Sequence, residues 1–303
     1  MSDIVLRTTT KDGLIRAAAA VTTELVKEAQ TRHQLAPTAT AALGRALTAN
    51  IFLSLNLKGE DTVTVRYMGN GPLGAMITQA DAEHNVRGYV QEPECHLPST
   101  PQGKLDVGKA VGREGYIYVT KNMGLIEPYT GCCPLASGEI GDDVAAYLHQ
   151  SEQTPAVVAV GVLVDVDGSC LAAGGFFIQA LPGAPEDVLL RLEKNVRRIS
   201  SVTRLIASGY QVEDLLQKVF GDIPLEPPAA EDCKFSCRCS RERLEKILLS
   251  MGKDELEDMI AKEKGAQLRC HFCNEVYFFT TEELQNLAGE IKQYEPQGGD
   301  NDE

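Results

Sequence analysis

The 303 residues carry 43 acidic and 29 basic side chains, a net charge of −14 at pH 7. That balance argues against non-specific binding to nucleic acid or to an anionic membrane surface. The length allows two domains, or one with appendages, and 43% hydrophobic content is ample for a core.

No apolar run is long enough to span a bilayer. The first residues, Met1-Ser-Asp-Ile-Val-Leu-Arg7, lack the basic and apolar regions of a secretory signal. A cytoplasmic location is therefore expected. The nine cysteines are then expected to serve metal binding, redox chemistry or burial rather than standing disulfides.

Ile4 to Thr9 and Leu14 to Val21 read as strands around the turn Lys11-Asp-Gly13. Thr23 to Arg32 reads as a helix. Thr38 to Asn56 reads as a second helix, Ala- and Leu-rich and mostly buried. Strands are expected over Thr62–Tyr67, Ala75–Gln79, Val86–Tyr89 and Tyr116–Thr120, with a proline-bearing loop from Glu92 to Gly108. Ile140 to Gln150 reads as a helix. Val157–Val166 and Cys170–Ala180 read as a hairpin about Asp165-Val-Asp-Gly168. Helices grouped between hairpins predict an α+β core domain over 1–180.

Residues 181–231 are expected to form a helical linker. Its first helix starts at Glu186 and presents Val188, Leu189, Leu192 and Val196. A short one follows around Val202, Leu205 and Ile206. A third presents Val212, Leu215, Leu216, Val219 and Phe220. Helices this short are marginal alone and must lean their apolar stripes on a neighbour. Pro224, Pro227 and Pro228 read as a stiff connector.

A small C-terminal domain is expected over 232–295, with a disordered, Gly- and acid-rich tail over 296–303. In that domain Ser240 is a cap for a helix turning Leu244, Ile247, Leu248 and Met251 inward. Asp254 with Glu257, and Thr280 with Glu283, are possible capping boxes.

The strongest chemical signal is Cys237-Arg-Cys239 with Cys270-His-Phe-Cys273, two close pairs 30 residues apart. Four thiolates delivered as two pairs suit a tetrahedral Zn²⁺ site. The strands Ala266–Arg269 and Val276–Phe279 frame the second pair as a knuckle. A structural zinc that never changes state is the plainer use of such a site.

Other motifs carry less. Gly69-Asn-Gly71-Pro-Leu-Gly74 fits a dinucleotide fingerprint, but a strand rather than a helix follows, so it reads as a hairpin turn. No G-x-x-x-x-G-K-[ST] occurs, which argues against ATP use through a P-loop. Cys132-Cys133 reads as part of a turn over Tyr129–Pro134, and a thiol enzyme with His149 as base is a weak alternative. Cys170 reads as core. Cys95 and His96 point apart, His271 reads as a bystander, and Cys233, four residues before Cys237, is a candidate substitute ligand that reads rather as a free thiol. A nucleic-acid-binding protein with a static zinc would need a basic face, against the acidic balance and the absence of Trp.

The chain resembles the 33-kilodalton heat-shock protein family, redox-regulated holdase chaperones of bacteria. The resemblance rests on Cys237-x-Cys239 with Cys270-His-Phe-Cys273-Asn-Glu. Gly138-Glu-Ile-Gly-Asp-Asp143 followed by Ser151-Glu-Gln-Thr-Pro155 also matches, as do Leu171-Ala-Ala-Gly-Gly-Phe176, Gly69-x-Gly-Pro-Leu-Gly74 and Gly88-Tyr89-Val90.

It covers nearly the whole chain and implies a mixed core, a helical linker and a C-terminal zinc domain. It implies one zinc per reduced chain on Cys237, Cys239, Cys270 and Cys273, and oxidation to Cys237–Cys239 and Cys270–Cys273 disulfides with zinc release. It also implies capture of unfolding clients without ATP, a homodimer when oxidised, and no enzymatic, nucleic-acid or membrane role. Cys95, Cys132, Cys133, Cys170 and Cys233 lie outside the family's motif, and their part in redox chemistry stays open.

Overall fold

A computed structural model of the chain describes residues 3–125, 127–263 and 265–291. The expected disordered tail, 296–303, lies outside them. The chain divides into two compact units, Met1–Cys237 and Arg238–Glu303.

The first unit holds β1 (Ile4–Thr9), β2 (Ile15–Val21), α1 (Thr23–His33), α2 (Pro37–Ser54), β3 (Thr62–Gly69), β4 (Met76–Asp81) and β5 (Asn85–Val90). After these come α3 (Val107–Val111), β6 (Gly115–Asn122), β7 (Tyr129–Pro134), α4 (Ile140–Gln150), β8 (Ala156–Val164) and β9 (Cys170–Ala180). Then follow α5 (Glu186–Arg197), α6 (Val202–Ala207), α7 (Val212–Phe220), β10 (Ala229–Asp232) and β11 (Lys234–Phe235). The strands form a five-stranded sheet, β10-β1-β2-β9-β8, and a six-stranded sheet, β11-β5-β4-β3-β6-β7.

α2 is the centre of this unit. Its Ala-rich sequence has no polar stripe, and 15 of its residues are buried, as a helix apolar all round must be. It packs against β3, β4 and β5 of one sheet and β8 and β9 of the other. Gly44 allows that fit, since a Cβ there would sit 2.7 Å from Val162 and 2.8 Å from Val26.

The Gly69–Gly74 stretch is the expected hairpin turn between antiparallel β3 and β4. Its glycines let the backbone approach α3: a Cβ on Gly71 would lie 2.2 Å from the Ala110 carbonyl oxygen.

The outer face of the five-stranded sheet carries a second core. Leu6, Ile15, Ala17, Ala19, Phe176 and Ile178 meet Leu192 of α5 and Val212, Leu215, Leu216, Val219 and Phe220 of α7. All five stripe residues of α7 are buried, worth roughly 1.5–3 kcal/mol each for the larger side chains. α5 is held less fully: only Leu192 is buried, and Leu189 is 36% exposed. Gly209 and Gly221 end α6 and α7 at positive φ, as expected from their sequence positions.

Several expectations need correction. Tyr129–Pro134 is a strand, β7, paired with β6, rather than a turn. The proline connector is not a free spacer: Leu225 bridges Thr10, the Glu226 amide donates to Thr9, and β10 then pairs with β1. β11 pairs in parallel with β5. Glu231 of β10 lies 2.8 Å from Arg7 Nε and 2.9 Å from His84 Nε2, and His84 Nδ1 lies 2.9 Å from Ser54 Oγ. Residues 229–236 therefore strap onto both sheets, and the division into units falls after Cys237 rather than at 232.

The second unit holds α8 (Arg241–Met251), α9 (Lys253–Glu263), β12 (Gly265–Arg269), β13 (Val276–Thr280) and α10 (Thr281–Ile291). Its core is small: Leu248, Leu256, Ala266, Phe279, Leu284, Leu287 and Ala288. Ile247 and Met251, expected inward, are 49% and 44% exposed. Asp254 lies inside α9, and Glu257 pairs with Lys253 instead of closing a capping box. Thr280 and Glu283 do form theirs: the Thr280 amide donates to Glu283 Oε2 at 2.8 Å, and the Glu283 amide to Thr280 Oγ1 at 3.3 Å.

Candidate metal centre

Local structure brings each cysteine into place. β12 and β13 pair in antiparallel register from Gly265↔Thr280 to Arg269↔Val276, and the connecting turn carries Cys270 and Cys273. The Asn274 amide donates to the Cys270 carbonyl at 2.7 Å and the Cys270 amide to the Glu275 carbonyl at 2.9 Å. Asn274 adopts φ 62°, a left-handed conformation that asparagine tolerates.

Cys239 directly precedes the cap of α8, where Ser240 Oγ accepts the Arg243 amide at 3.3 Å. Arg241 fixes that helix start: its guanidinium lies 4.3 Å from the Phe279 ring centroid and donates to the Phe278 carbonyl at 2.9 Å and to Glu283 at 2.5 Å. Cys237 follows β11, whose ladder on β5 is extended by the Ser236 amide donating to the Val86 carbonyl at 3.0 Å.

The result is one cluster. The sulfurs of Cys237, Cys239, Cys270 and Cys273 all lie within 4.8 Å of one another, and Cys239 and Cys273 approach to 3.3 Å. A tetrahedral zinc with Zn–S of ~2.3 Å needs sulfurs ~3.8 Å apart, so the donor set and its spacing fit a metal ion.

Two further side chains touch the sulfurs. Arg87 of β5 donates through Nη1 to Cys237 Sγ at 3.2 Å, while its Nε and Nη2 both donate to Gln79 Oε1 of β4, at 3.1 and 2.6 Å. The Tyr277 hydroxyl lies 3.3 Å from Cys239 Sγ, and that bond holds its phenol well above the ordinary range. Groups that hydrogen-bond metal ligands orient them and tune the site. Sequence reasoning found neither: 150 residues separate Arg87 from Cys237, and Tyr277 reads as one apolar residue of a strand.

The other cysteines stand apart from this cluster. Cys133 is buried in β7, and burial raises its thiol pKa, while His149 is exposed on α4. Burial likewise raises Cys95, pushes Cys170 up to about 12 and carries Cys233 higher still. Cys233 belongs to the core of the first unit, and its amide donates to the Asp3 carbonyl at 3.1 Å. His96 lies 3.1 Å from Thr38 Oγ1, and His271 is exposed beside the knuckle.

A two-sheet α+β unit that ends at Cys237 is thus followed by a small unit that carries Cys239, Cys270 and Cys273. The family model for Hsp33 protein matches residues 3–280. A 33 kDa chaperonin of Desulforamulus reducens is 49% identical over 293 residues, covering 97% of this chain and 99% of its own length. That of Bacillus subtilis is 45% identical over 285 residues, covering 94% and 98%. The crystal structure of the 33 kDa chaperonin from Thermotoga maritima superposes with a TM-score of 0.90 at 35% identity, covering 97% of this chain and 100% of the other. The chain belongs to the Hsp33 family of chaperones. Among the described residues, no helix is long and apolar enough to cross a membrane.

Proposed function

We propose that the protein is a redox-regulated, ATP-independent holdase, inactive when reduced and zinc-bound. The observation that carries this reading is the close packing of four sulfurs, three of them from a unit whose own core is small. Zinc, when bound, would keep the four thiols as thiolates, the oxidant-reactive form, and cross-link the domain. The ligands are Cys237, Cys239, Cys270 and Cys273.

Each disulfide, Cys237–Cys239 or Cys270–Cys273, forms when two thiolates give two electrons to a peroxide; with two protons, the peroxide leaves as two waters. The thiolates are then lost as ligands, and the C-terminal unit loses its cross-link. The linker, 181–231, then loosens from the outer face of the five-stranded sheet. That exposes Leu6, Ile15, Phe176 and Ile178 together with the α7 stripe, the apolar surface proposed to hold unfolding clients. The 33 kDa chaperonin name of the relatives supports a client-binding rather than an enzymatic role. We assign the protein to the cytoplasm, as a homodimer when oxidised, without nucleic-acid, membrane or ATP partners.

The test is aggregation suppression of a thermally unfolding client by matched reduced and peroxide-treated samples without nucleotide. Zinc release is followed in the same samples. Suppression by the oxidised form alone, with release of one zinc per chain, is expected. Equal suppression by both forms would leave the four cysteines a static structural site.

A further inference from the structure

We infer that His84 is a proton-dependent clasp, which holds the strap at 229–236, and so the chain leading to Cys237, against the first unit. The clasp needs neither oxidation nor zinc.

His84 directly precedes β5, in the turn from β4. It stands in the left-handed region at φ 57° and is 2% exposed. A residue other than glycine keeps that conformation where its surroundings impose it. Asp81 imposes it here. Its Oδ1 accepts the Glu83 amide at 3.0 Å and the Asn85 amide at 3.1 Å, and its carbonyl accepts the His84 amide at 3.1 Å. The ring is thereby set between the end of α2 and β10.

Hydrogen accounting fixes the protons on that ring. The Ser54 hydroxyl donates its one hydrogen to the Ile51 carbonyl at 2.8 Å. Its oxygen therefore accepts from His84 Nδ1, 2.9 Å away. On the other side Nε2 lies 2.9 Å from Glu231 Oε2, and an ionised carboxylate only accepts. Both ring nitrogens thus carry a hydrogen, and the ring is an imidazolium. A neutral ring has one N–H for two acceptors, and a mismatch of that kind is costly where water is excluded.

The charges around the ring come from several elements. Glu231 of β10 is shared, with its Oε1 2.8 Å from Arg7 Nε of β1. Asp81 and the exposed Glu83 lie on the ring's own turn and favour the cation. Arg7 opposes it, as does Lys234 of β11, which stands opposite Asn85. α2 presents the uncharged Ser54.

The clasp sits where the strap is joined. β11 meets β5 at Lys234↔Asn85, beside His84 in the chain, and β10 pairs with β1 through Glu231↔Val5. The ring grips Glu231 three residues before that first β11 pair, and Cys237 follows two residues after Phe235. Histidine is the side chain that exchanges a proton in the physiological range. Losing that proton removes a charge-assisted hydrogen bond, the stronger kind, at the point where the strap is fastened.

The test uses the reduced, full-length protein from mildly acidic to mildly alkaline pH. Nitrogen NMR spectra of the ring report its protons. Amide exchange reports the strap as protection factors, which remove the base catalysis of exchange itself. In mildly acidic solution both ring nitrogens should carry hydrogen. As pH rises and the ring loses one proton, protection of the β10 amides and of Ser236 should fall about tenfold, the effect expected of one hydrogen bond to a charged group. α2 should stay protected throughout. Asp3 also touches the strap, since its carbonyl accepts the Cys233 amide, so the fall should persist in Asp3→Asn. His84→Gln and Glu231→Gln should show the weaker protection at every pH, without a step. The parent titration decides the matter even where a variant fails to fold. A singly protonated ring in the strapped protein, protection that stays level while the ring titrates, or a step retained in folded Glu231→Gln would each overturn the proposal.

Discussion

The two units are stabilised by different physics. Around α2, apolar side chains fill the space between two sheets, joined by buried hydrogen bonds such as that from Asn50 Nδ2 to Thr78 Oγ1. In the C-terminal unit seven buried apolar residues form the core among the described residues, and Cys239, Cys270 and Cys273 gather beside them with Cys237. A unit that small commonly needs a metal or disulfides to fold. The smaller core makes the second unit the more dependent on links other than apolar burial. α5–α7 stand between these extremes, apolar on one face and dependent on the sheet beneath them.

The contrast breaks most sharply if the ligands are removed. A Cys270→Ser, Cys273→Ser double variant should hold no stoichiometric zinc and lose the order of the C-terminal unit. Metal binding in small zinc modules is worth ~10–16 kcal/mol. Amide exchange should show β12, β13 and α10 unprotected and α2 unchanged. Full metal content in that variant would refute the assigned ligands.

Next in size is Phe220→Ala in α7. Phe220 is 1% exposed, and such truncations cost about 3–5 kcal/mol. Exchange should quicken through α5–α7 while α2 stays protected. Equal loosening of both would mean the outer helices and the central core are one cooperative body.

Arg87→Ala should act on the metal and spare the fold. Losing a group that hydrogen-bonds a ligand typically lowers metal affinity 10–100-fold. Zinc transfer to a chelator should accelerate accordingly, with the melting of the first unit unchanged. Unaltered transfer would deny Arg87 a role at the sulfur.

The smallest effect concerns pH. Burial raises Asp3 to about 6, against the amides of Leu25 and Glu24 that its carboxylate accepts. The folded state therefore holds this proton more tightly than the unfolded state, whose value is near 3.8. Stability from this group is fully present below about 3.8 and is lost as pH rises through about 6. The melting temperature of Asp3→Asn, relative to the parent, should therefore rise across that window. A flat difference would remove Asp3 from the balance.

Much of this was legible in the sequence where a local rule suffices. The hairpins about Gly13 and Gly168, the buried α2, the α7 stripe and the paired cysteines all follow from periodicity, turn chemistry or ligand spacing. β7 was missed because Gly131 and Pro134 look like turn residues, while its pairing with β6 is a tertiary fact. β10 and β11 were missed because they are short and follow prolines, and each is ordered by a partner more than 140 residues away. Ile247 and Met251 share a helical stripe with Leu248, but the unit has too little core to bury them all. Arg87 left no local signal, because its reach to Cys237 depends on that same late pairing.

The parallel ladder of β11 on β5 is in effect a ruler. It fixes Lys234 opposite Asn85 and Phe235 opposite Val86, and Cys237 is delivered two residues later at the tip of Arg87. A strand advances about 3.3 Å per residue and reverses its side chains at each step. One residue inserted between Phe235 and Cys237 would displace the sulfur by a whole step and turn it to the other face. The guanidinium contact tolerates only a few tenths of an ångström. The length of this stretch, as much as the identity of its residues, is therefore part of the site.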